Sequence, residues 1–217
     1  MRPRQDLLMT TLTDLANAAL AYLGDSAITD ISDSTSKPAR LCNQFAQRAI
    51  DEVLRLGRWN KATKRKALVA DAAAPAFGYT YQYKLPTDFL RMMEVNGEEW
   101  QDSSEFYEIE DDRLLSDEDT AEIRYIARIE IGQADALMQE AIALRLGMKI
   151  AIPLTGSAEM QAAVVAMFQK ALAEARHADA IEAGGREKSA WTRIFGRSRL
   201  LRARTWRRDP LRLEDYP

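Results

Sequence analysis

Two residue types that often carry out chemistry occur only once each in this chain, as Cys42 and His177. A single cysteine permits no internal disulfide, and the pair falls short of the roughly four ligands of a zinc site. A histidine-activated nucleophile would depend entirely on His177, whose polar helical surroundings predict a solvated helix residue. Cys42 lies on an apolar helical stripe, which predicts a buried structural thiol.

The acidic residues are the remaining candidates for chemistry. Asp111-Asp112 and the run 117–119 could attract a cation, but they lack the glycine and the ligand spacing of an EF-hand loop. A solvated acidic loop is therefore favoured, although a site made only of carboxylates stays open because acids are plentiful. The sequence contains no phosphate-binding loop, dinucleotide fingerprint, nucleophile elbow or HExxH motif. We expect no catalytic residue, no metal site and no cofactor, and hence a protein that is not an enzyme.

The 217-residue length suits one folded domain with an extension or an insert. Apolar residues make up 47% of the chain and charged residues 29%, which argues against wholesale disorder. No apolar run approaches the ~20 residues of a membrane span, and no signal-peptide core follows Arg2 and Arg4. We expect a protein that is made and kept in a cytoplasm and has no membrane partner.

Charge is segregated along the chain, although the net charge is only −3. Residues 94–122 contain thirteen acids and one base, whereas residues 186–208 contain nine bases and one acid. Segregation of this kind predicts that different parts of the chain meet different partners.

Apolar residues recur with helical spacing in four segments. The third of these segments is apolar on two sides, which predicts a central helix with neighbours on both faces. The predicted bounds are Thr11 or Thr13 to Gly24, Ser36 to Gly57, about Asp135 to a break at Pro153 and Gly156, and Ser157 to a fading end at Ala183.

The period changes to two in the middle of the chain. Residues 77–83 alternate aromatic and polar side chains, and residues 123–129 alternate in the same way, which predicts half-buried strands. A further strand at about 90–95 precedes Asn96-Gly97, a type I′ hairpin signal. Residues from roughly 66 to 130 are therefore predicted to form a small antiparallel sheet with an acidic surface loop.

Together these patterns predict a mainly α, α+β fold: a bundle of about four helices, an inserted antiparallel sheet and a projecting C-terminal arm. The helical body would span 1–183, with the β insert at about 66–130, and the arm would span 184–217. Gly184-Gly185 marks the boundary, because each glycine resists helix formation by about 1 kcal/mol.

The arm is too polar to form a core, yet it carries two tryptophans among its arginines, the side chains that most often dominate protein interfaces. We expect it to become ordered on a partner. A disordered basic tail is one alternative. Nucleic-acid binding is another, since arginine pairs with phosphate and aromatic rings stack on bases. No nucleic-acid-binding motif accompanies the arm, and the acidic body would repel phosphate. The predicted contact residues are Trp191, Arg193, Ile194, Phe195, Arg197, Arg199, Leu200, Leu201, Arg202, Arg204, Trp206, Arg207 and Arg208.

Several segments, taken in order, resemble the head-to-tail adaptor proteins of tailed bacteriophages, including the tail tubular protein A group of short-tailed phages. The resemblance covers about residues 12–182, is moderately specific as an ordered set and leaves out the arm. Without the family name, the same residues are expected to be core side chains and a Pro86–Asp88 turn whose aspartate accepts backbone hydrogen bonds. The segments are Ala19–Gly24 with Ile28, Leu54–Asn60 with Ala67-Leu68, Gly78–Tyr83 followed by Leu85–Arg91, Arg124–Ile126, and the Ala141–Leu154 helix.

The resemblance implies a structural subunit of the virion at the head–tail junction. Members of this family form rings, commonly of twelve copies, beneath the portal protein. Their C-terminal segments embrace the portal, tail tube or nozzle proteins bind the opposite face, and genomic DNA passes through the ring. The resemblance implies no catalytic residue. We expect residues 94–122 to face the lumen or the tail side, since negative walls do not hold DNA.

Overall fold

The computed structural model describes residues 11–103 and 106–182. Within these residues, the chain forms four helices of eleven or more residues, and antiparallel strands are inserted between the second and the third of them in sequence. This arrangement confirms the predicted α+β class. The predicted boundary at Gly184-Gly185 and the whole predicted arm lie outside the described residues, so the division into body and arm stays a prediction.

The first two helices begin and end where local signals predicted. Helix α1 spans Leu12–Tyr22, and Thr11 caps it in a reciprocal capping box with Asp14. Helix α2 spans Lys37–Leu56; the hydroxyl of Ser36 accepts a hydrogen bond from the backbone N–H of Ala39 at its start. Both caps satisfy N–H groups that a helix cannot pair internally.

The last two long helices form a hairpin. Helix α4 spans Ala136–Thr155, and helix α5 spans Ala158–Glu182. As predicted, α4 is the central helix, packing against α1, α2 and α5. The predicted break at Pro153 does not occur, since the helix continues through this residue to Thr155. The predicted end at Gly156 is confirmed, and this glycine adopts the left-handed conformation with φ 71°.

The insert contains two antiparallel sheets rather than the one predicted. The first sheet has the strand order β1-β7-β3-β4, and the second has the order β2-β6-β5. A single helical turn, α3 (Trp100–Ser103), follows β4. The strands are β1 Thr63–Leu68, β2 Tyr81–Lys84, β3 Phe89–Val95, β4 Glu98–Glu99, β5 Tyr107–Glu110, β6 Arg113–Ser116 and β7 Ala121–Ala127.

Two predictions about the insert were wrong. The strand expected from Phe77 begins only at Tyr81, and the Phe77 side chain is 88% exposed. The expected acidic loop contains the β5–β6 hairpin, whose turn places Asp111 at φ 51°. The apolar side chains of this hairpin, Tyr107, Ile109 and Leu114, pack in the core among the strands of the two sheets. A short window full of acids does not reveal this tertiary contact. The Asn96-Gly97 hairpin is confirmed, with φ of 49° and 84°.

Two hydrophobic cores meet at the first sheet. One core joins the four helices and includes Leu90 and Ile126 from the sheet. The other core lies among the strands of the two sheets, around the fully buried Tyr83 and Val95. The first sheet therefore has apolar side chains on both faces, and it links the helical body to the second sheet.

Candidate interaction surfaces

The thirteen predicted portal-binding residues, between Trp191 and Arg208, all lie outside the described residues. Their role stays a prediction. The surfaces available for analysis are those of the body, residues 11–103 and 106–182.

The structure turns the described part of the acidic stretch into a folded surface, which we call the acidic lobe and define as residues 94–103 and 106–122. Arg113, the one base within the lobe, pairs with Asp112 of the lobe and also, through Nε at 2.8 Å, with Asp71 outside it. The lobe's exposed carboxylates are therefore in large excess over bases. The exposed acidic residues of the lobe are Glu98, Glu108, Glu110, Asp111, Asp112, Asp117, Glu118, Asp119 and Glu122.

Hydrogen bonds to two of its carboxylates hold the acidic lobe in shape. Asp117 accepts bonds of 2.9 Å from both the backbone N–H and the hydroxyl of Thr80. Glu118 accepts bonds from the Asn96 amide at 2.6 Å and from the Tyr107 hydroxyl at 2.7 Å. Burial, followed by the bond to Glu118, raises the pKa of Tyr107 to about 12. Part of the acidic charge thus serves structure, and the remainder faces solvent.

The first sheet has edges of opposite charge. Strand β1 forms one edge and exposes Lys64, Arg65 and Lys66, whereas β4 at the other edge carries Glu98 and Glu99. Charged side chains, lysine above all, are the usual protection of an unpaired strand edge against random pairing. Sequence reasoning missed this strand, because its run of three consecutive bases shows no alternation of apolar and polar side chains.

The segment 69–80, between the first two strands, presents apolar side chains to solvent. Val69 is 85% exposed and Phe77 is 88% exposed, and Phe106 beyond the short α3 turn is 58% exposed. Aromatic side chains are enriched where proteins meet, so this segment is a candidate interaction surface.

The Leu85–Asp88 segment, the clearest piece of the resemblance, connects the two sheets. The Leu85 N–H donates to the carbonyl of Asp112 at 2.9 Å, and the Arg128 N–H donates to the carbonyl of Asp88 at 2.7 Å. The predicted turn is present, since Phe89 N–H donates to the Pro86 carbonyl at 3.0 Å. The segment therefore acts as a structural joint.

The Asp88 carboxylate does not have the predicted role of a turn-forming acceptor. Its chief partners are the Lys64 ammonium at 2.6 Å and the Tyr125 hydroxyl at 3.1 Å. Burial raises the pKa of Asp88, but the bonds from these two groups outweigh burial and hold the pKa below its ordinary value. The carboxylate ties β1 and β7 to the Leu85–Asp88 joint.

The single cysteine and histidine lie where the sequence predicted. Cys42 is fully buried on α2, and burial raises its thiol pKa to about 11, so the reactive thiolate is scarce at neutral pH. His177 is exposed on α5. No cluster of three or more potential metal ligands occurs within residues 11–103 and 106–182.

One wide cleft lies between α1, α2 and the end of β7, with a volume of about 710 Å³. Arg128 and Asp51 form a two-bond ion pair beside it, at 2.9 and 2.8 Å. The arginine is thus committed to a structural partner. Neither Cys42 nor His177 is among the residues that line the cleft.

No protein-family model matches the chain, and no curated protein matches it. In the described part of the chain, no helix combines the length and the apolar content that crossing a bilayer requires.

Proposed function

We propose that this protein is a structural subunit of the adaptor ring between the head and the tail of a tailed bacteriophage, and that it carries out no chemistry. In this proposal, the C-terminal arm docks on the portal protein, and tail tube or nozzle proteins bind the opposite face. About twelve copies would form the ring, as the resemblance implies. The virion head–tail junction would be its place of action.

The observation that carries this proposal is that the resembling segments meet in the interior of one scaffold. Trp59 is fully buried, and its indole N–H donates to the Val53 carbonyl at 2.9 Å. Tyr83 is fully buried, and its hydroxyl donates to the Glu118 carbonyl at 2.6 Å. Side chains of this kind determine a fold rather than a reaction, so a likeness confined to them supports a shared architecture and a structural role.

The acidic lobe supports the passage of DNA past this protein rather than tight binding to it. Residues 11–182 contain twenty-eight acidic and eighteen basic residues, and the lobe concentrates the exposed carboxylates. Negative surfaces repel phosphate over about 8 Å at physiological salt. We propose that the lobe faces the lumen or the tail side of the ring. A ring structure whose lumen is lined by basic residues would contradict the lumen placement.

The test is binding of the full chain to portal rings of the same phage. A variant with Trp191→Ala and Trp206→Ala removes the two large arm anchors, and Arg40→Gln with Arg48→Gln on the exposed face of α2 serves as the control. We expect mass photometry to show adaptor-loaded portal for wild type and control, and at least tenfold weaker loading for the arm variant. Equal loading of all three proteins would refute the role of the arm.

Nucleic-acid binding through the arm is the competing outcome of the same experiment. Under that function, wild-type protein would bind labelled DNA in fluorescence anisotropy, and its affinity would fall steeply between 50 and 200 mM salt. Portal loading would then be absent or insensitive to the arm substitutions. We expect the reverse pattern.

A further inference from the structure

Four arginine side chains converge at the carboxyl end of α2, and we call them the arginine cluster: Arg55, Arg58, Arg91 and Arg176. They come from distant parts of the chain: Arg55 lies in the last turn of α2 and Arg58 just beyond it, Arg91 lies on β3, and Arg176 lies on α5. Residues this far apart in the chain meet only through the fold. The sequence pattern did not single them out.

Backbone carbonyls hold three of the four guanidinium groups in place. Nη2 of Arg91 donates to the Gly57 carbonyl at 2.6 Å, and Nη2 of Arg176 donates to the neighbouring Leu56 carbonyl. Nη1 of Arg55 donates to the Leu90 carbonyl. These acceptors are neutral, so they orient the guanidinium groups without cancelling their charge.

The positive charge of the cluster exceeds the negative charge around it. Glu99, whose carboxylate lies 3.2 Å from Arg58, is the one ion-pair partner of the cluster within residues 11–103 and 106–182. The carboxyl end of a helix adds only about half a negative charge. Burial, and then the charges of the other three arginines, lower the pKa of Arg91. Among the described residues, no group accepts a hydrogen bond from the buried Nε of Arg91.

Capping of α2 explains one or two of these arginines but not four. A cation near a helix carboxyl end is a common stabilising feature, and Arg91 and Arg176 fill that role at adjacent carbonyls. Arg55 points to a strand carbonyl, and the charges of all three other guanidinium groups act on Arg91. A concentration of like charge of this kind is what a protein builds around an anion.

We propose that the arginine cluster binds a compact, doubly charged oxyanion, of which the phosphate group is the natural example. Guanidinium groups match phosphate oxygens with paired hydrogen bonds, and several of them can share one anion. Arg55, Arg58 and Arg176 are exposed, so the site is open to solvent. A compact ligand is favoured over a nucleic-acid strand, because the cluster is a single spot on a body with an excess of ten acidic residues.

The test uses inorganic phosphate as the probe and the full chain as the protein. Thermal unfolding is followed by circular dichroism while phosphate replaces chloride at constant ionic strength. We expect the melting temperature to rise and to saturate in the millimolar range. A general salting effect of phosphate would instead grow steadily towards molar concentrations.

Single-charge variants separate the cluster from other arginines. Arg55→Gln and Arg176→Gln should each raise the half-saturating phosphate concentration at least tenfold, whereas Arg48→Gln, which removes an exposed charge from the same helix, should leave it unchanged. Phosphorus NMR line broadening on the folded variants repeats the comparison without unfolding. Equal half-saturation in all variants, or no advantage of phosphate over chloride, overturns the proposal.

A competition experiment with a short single-stranded DNA oligonucleotide distinguishes the source of the phosphate. We expect the oligonucleotide, at an equal concentration of phosphate groups, to leave the phosphate-induced rise in melting temperature unchanged. If it displaces phosphate, and if Arg55→Gln and Arg176→Gln abolish that displacement, the cluster serves a nucleic-acid backbone and the compact-ligand assignment is wrong. This outcome is independent of portal binding, so it leaves the adaptor proposal to its own test.

Discussion

Replacing Gly57 by alanine tests the contact on which the junction of helices and sheets depends. A β-carbon at this position would lie 2.3 Å from Cε2 of Trp59 and 2.6 Å from its Nε1. Gly57 has φ −119° and ψ 174°, which alanine adopts without strain, so the whole cost comes from the collision with the indole ring. Trp59 is fully buried and has no free space into which it can move.

The magnitude follows from two effects. Overpacking of a filled core costs about 1–3 kcal/mol. Displacing the ring also weakens its 2.9 Å hydrogen bond to the Val53 carbonyl, which adds about 1 kcal/mol. We therefore expect Gly57→Ala to lower the free energy of unfolding by about 2–4 kcal/mol.

Urea unfolding followed by circular dichroism measures this loss, and a second glycine provides the matched control. A β-carbon at Gly147, inside α4, would lie 3.4 Å from the nearest Val164 carbon, an ordinary contact. Because alanine favours a helix over glycine by about 1 kcal/mol, Gly147→Ala should be neutral or stabilising. The same substitution should thus lower the free energy of unfolding at Gly57 but not at Gly147.

A double-mutant cycle identifies the cause of the loss. In a Trp59→Phe background, the smaller ring removes the atoms nearest to the new β-carbon, so the additional cost of Gly57→Ala should fall by at least half. If Gly57→Ala leaves the urea midpoint unchanged, or costs the same in both backgrounds, the packing argument is refuted.

Three further predictions concern separate features of the body. Asn96→Ala should lower the free energy of unfolding by about 2 kcal/mol, because it removes a residue suited to positive φ and the amide that bonds the Glu118 carboxylate, as urea unfolding would measure. The pKa of Asp88 is lowered in the folded protein, so its ionised carboxylate stabilises the fold fully above the ordinary aspartate pKa of about 3.9, and this stabilisation is lost as the pH falls below that value. In Asp88→Asn, the difference in the free energy of unfolding between pH 7 and pH 3 should therefore shrink. Native Cys42 should resist iodoacetamide at pH 8 and react once urea unfolds the chain, as mass spectrometry would show.

Each of these predictions has a clear contradicting result. An Asn96→Gly variant as stable as the wild type would show that the amide contributes nothing beyond the turn conformation. An unaltered pH dependence in Asp88→Asn would mean that its bonds to Lys64 and Tyr125 do not favour the charged form. Labelling of Cys42 at the same rate in folded and unfolded protein would show that α2 opens freely.

Helix positions were predictable because their signals are local. Thr11, Ser36 and Ser157 are caps that act on backbone groups three residues away, so a reader of the sequence sees both partners together. The Asn96-Gly97 turn is equally local, since positive φ at both positions is a property of the two residues themselves. The buried stripe of α2, including Cys42, follows from helical periodicity in the same way.

The errors occurred where distant segments decide the outcome. Phe77 alternates correctly for a strand, yet the strand forms only where β6 offers partners, from Tyr81 onward. The β5–β6 hairpin is rich in acids, but its Tyr107 and Leu114 find apolar partners across the insert and fold it. Pro153 did not end α4, and the helix ends at Gly156, whose left-handed conformation stops it.

Sequence thus determined the helices, the α+β class, the segregation of charge and the buried state of the lone thiol, because each depends on neighbours within a few residues. Only the tertiary structure brought Arg55, Arg91 and Arg176 to one spot and divided the insert into two sheets, since both depend on pairing between segments tens of residues apart. Local chemistry limits what each segment can become, whereas the packing of α2 against the first sheet decides which charged groups become neighbours.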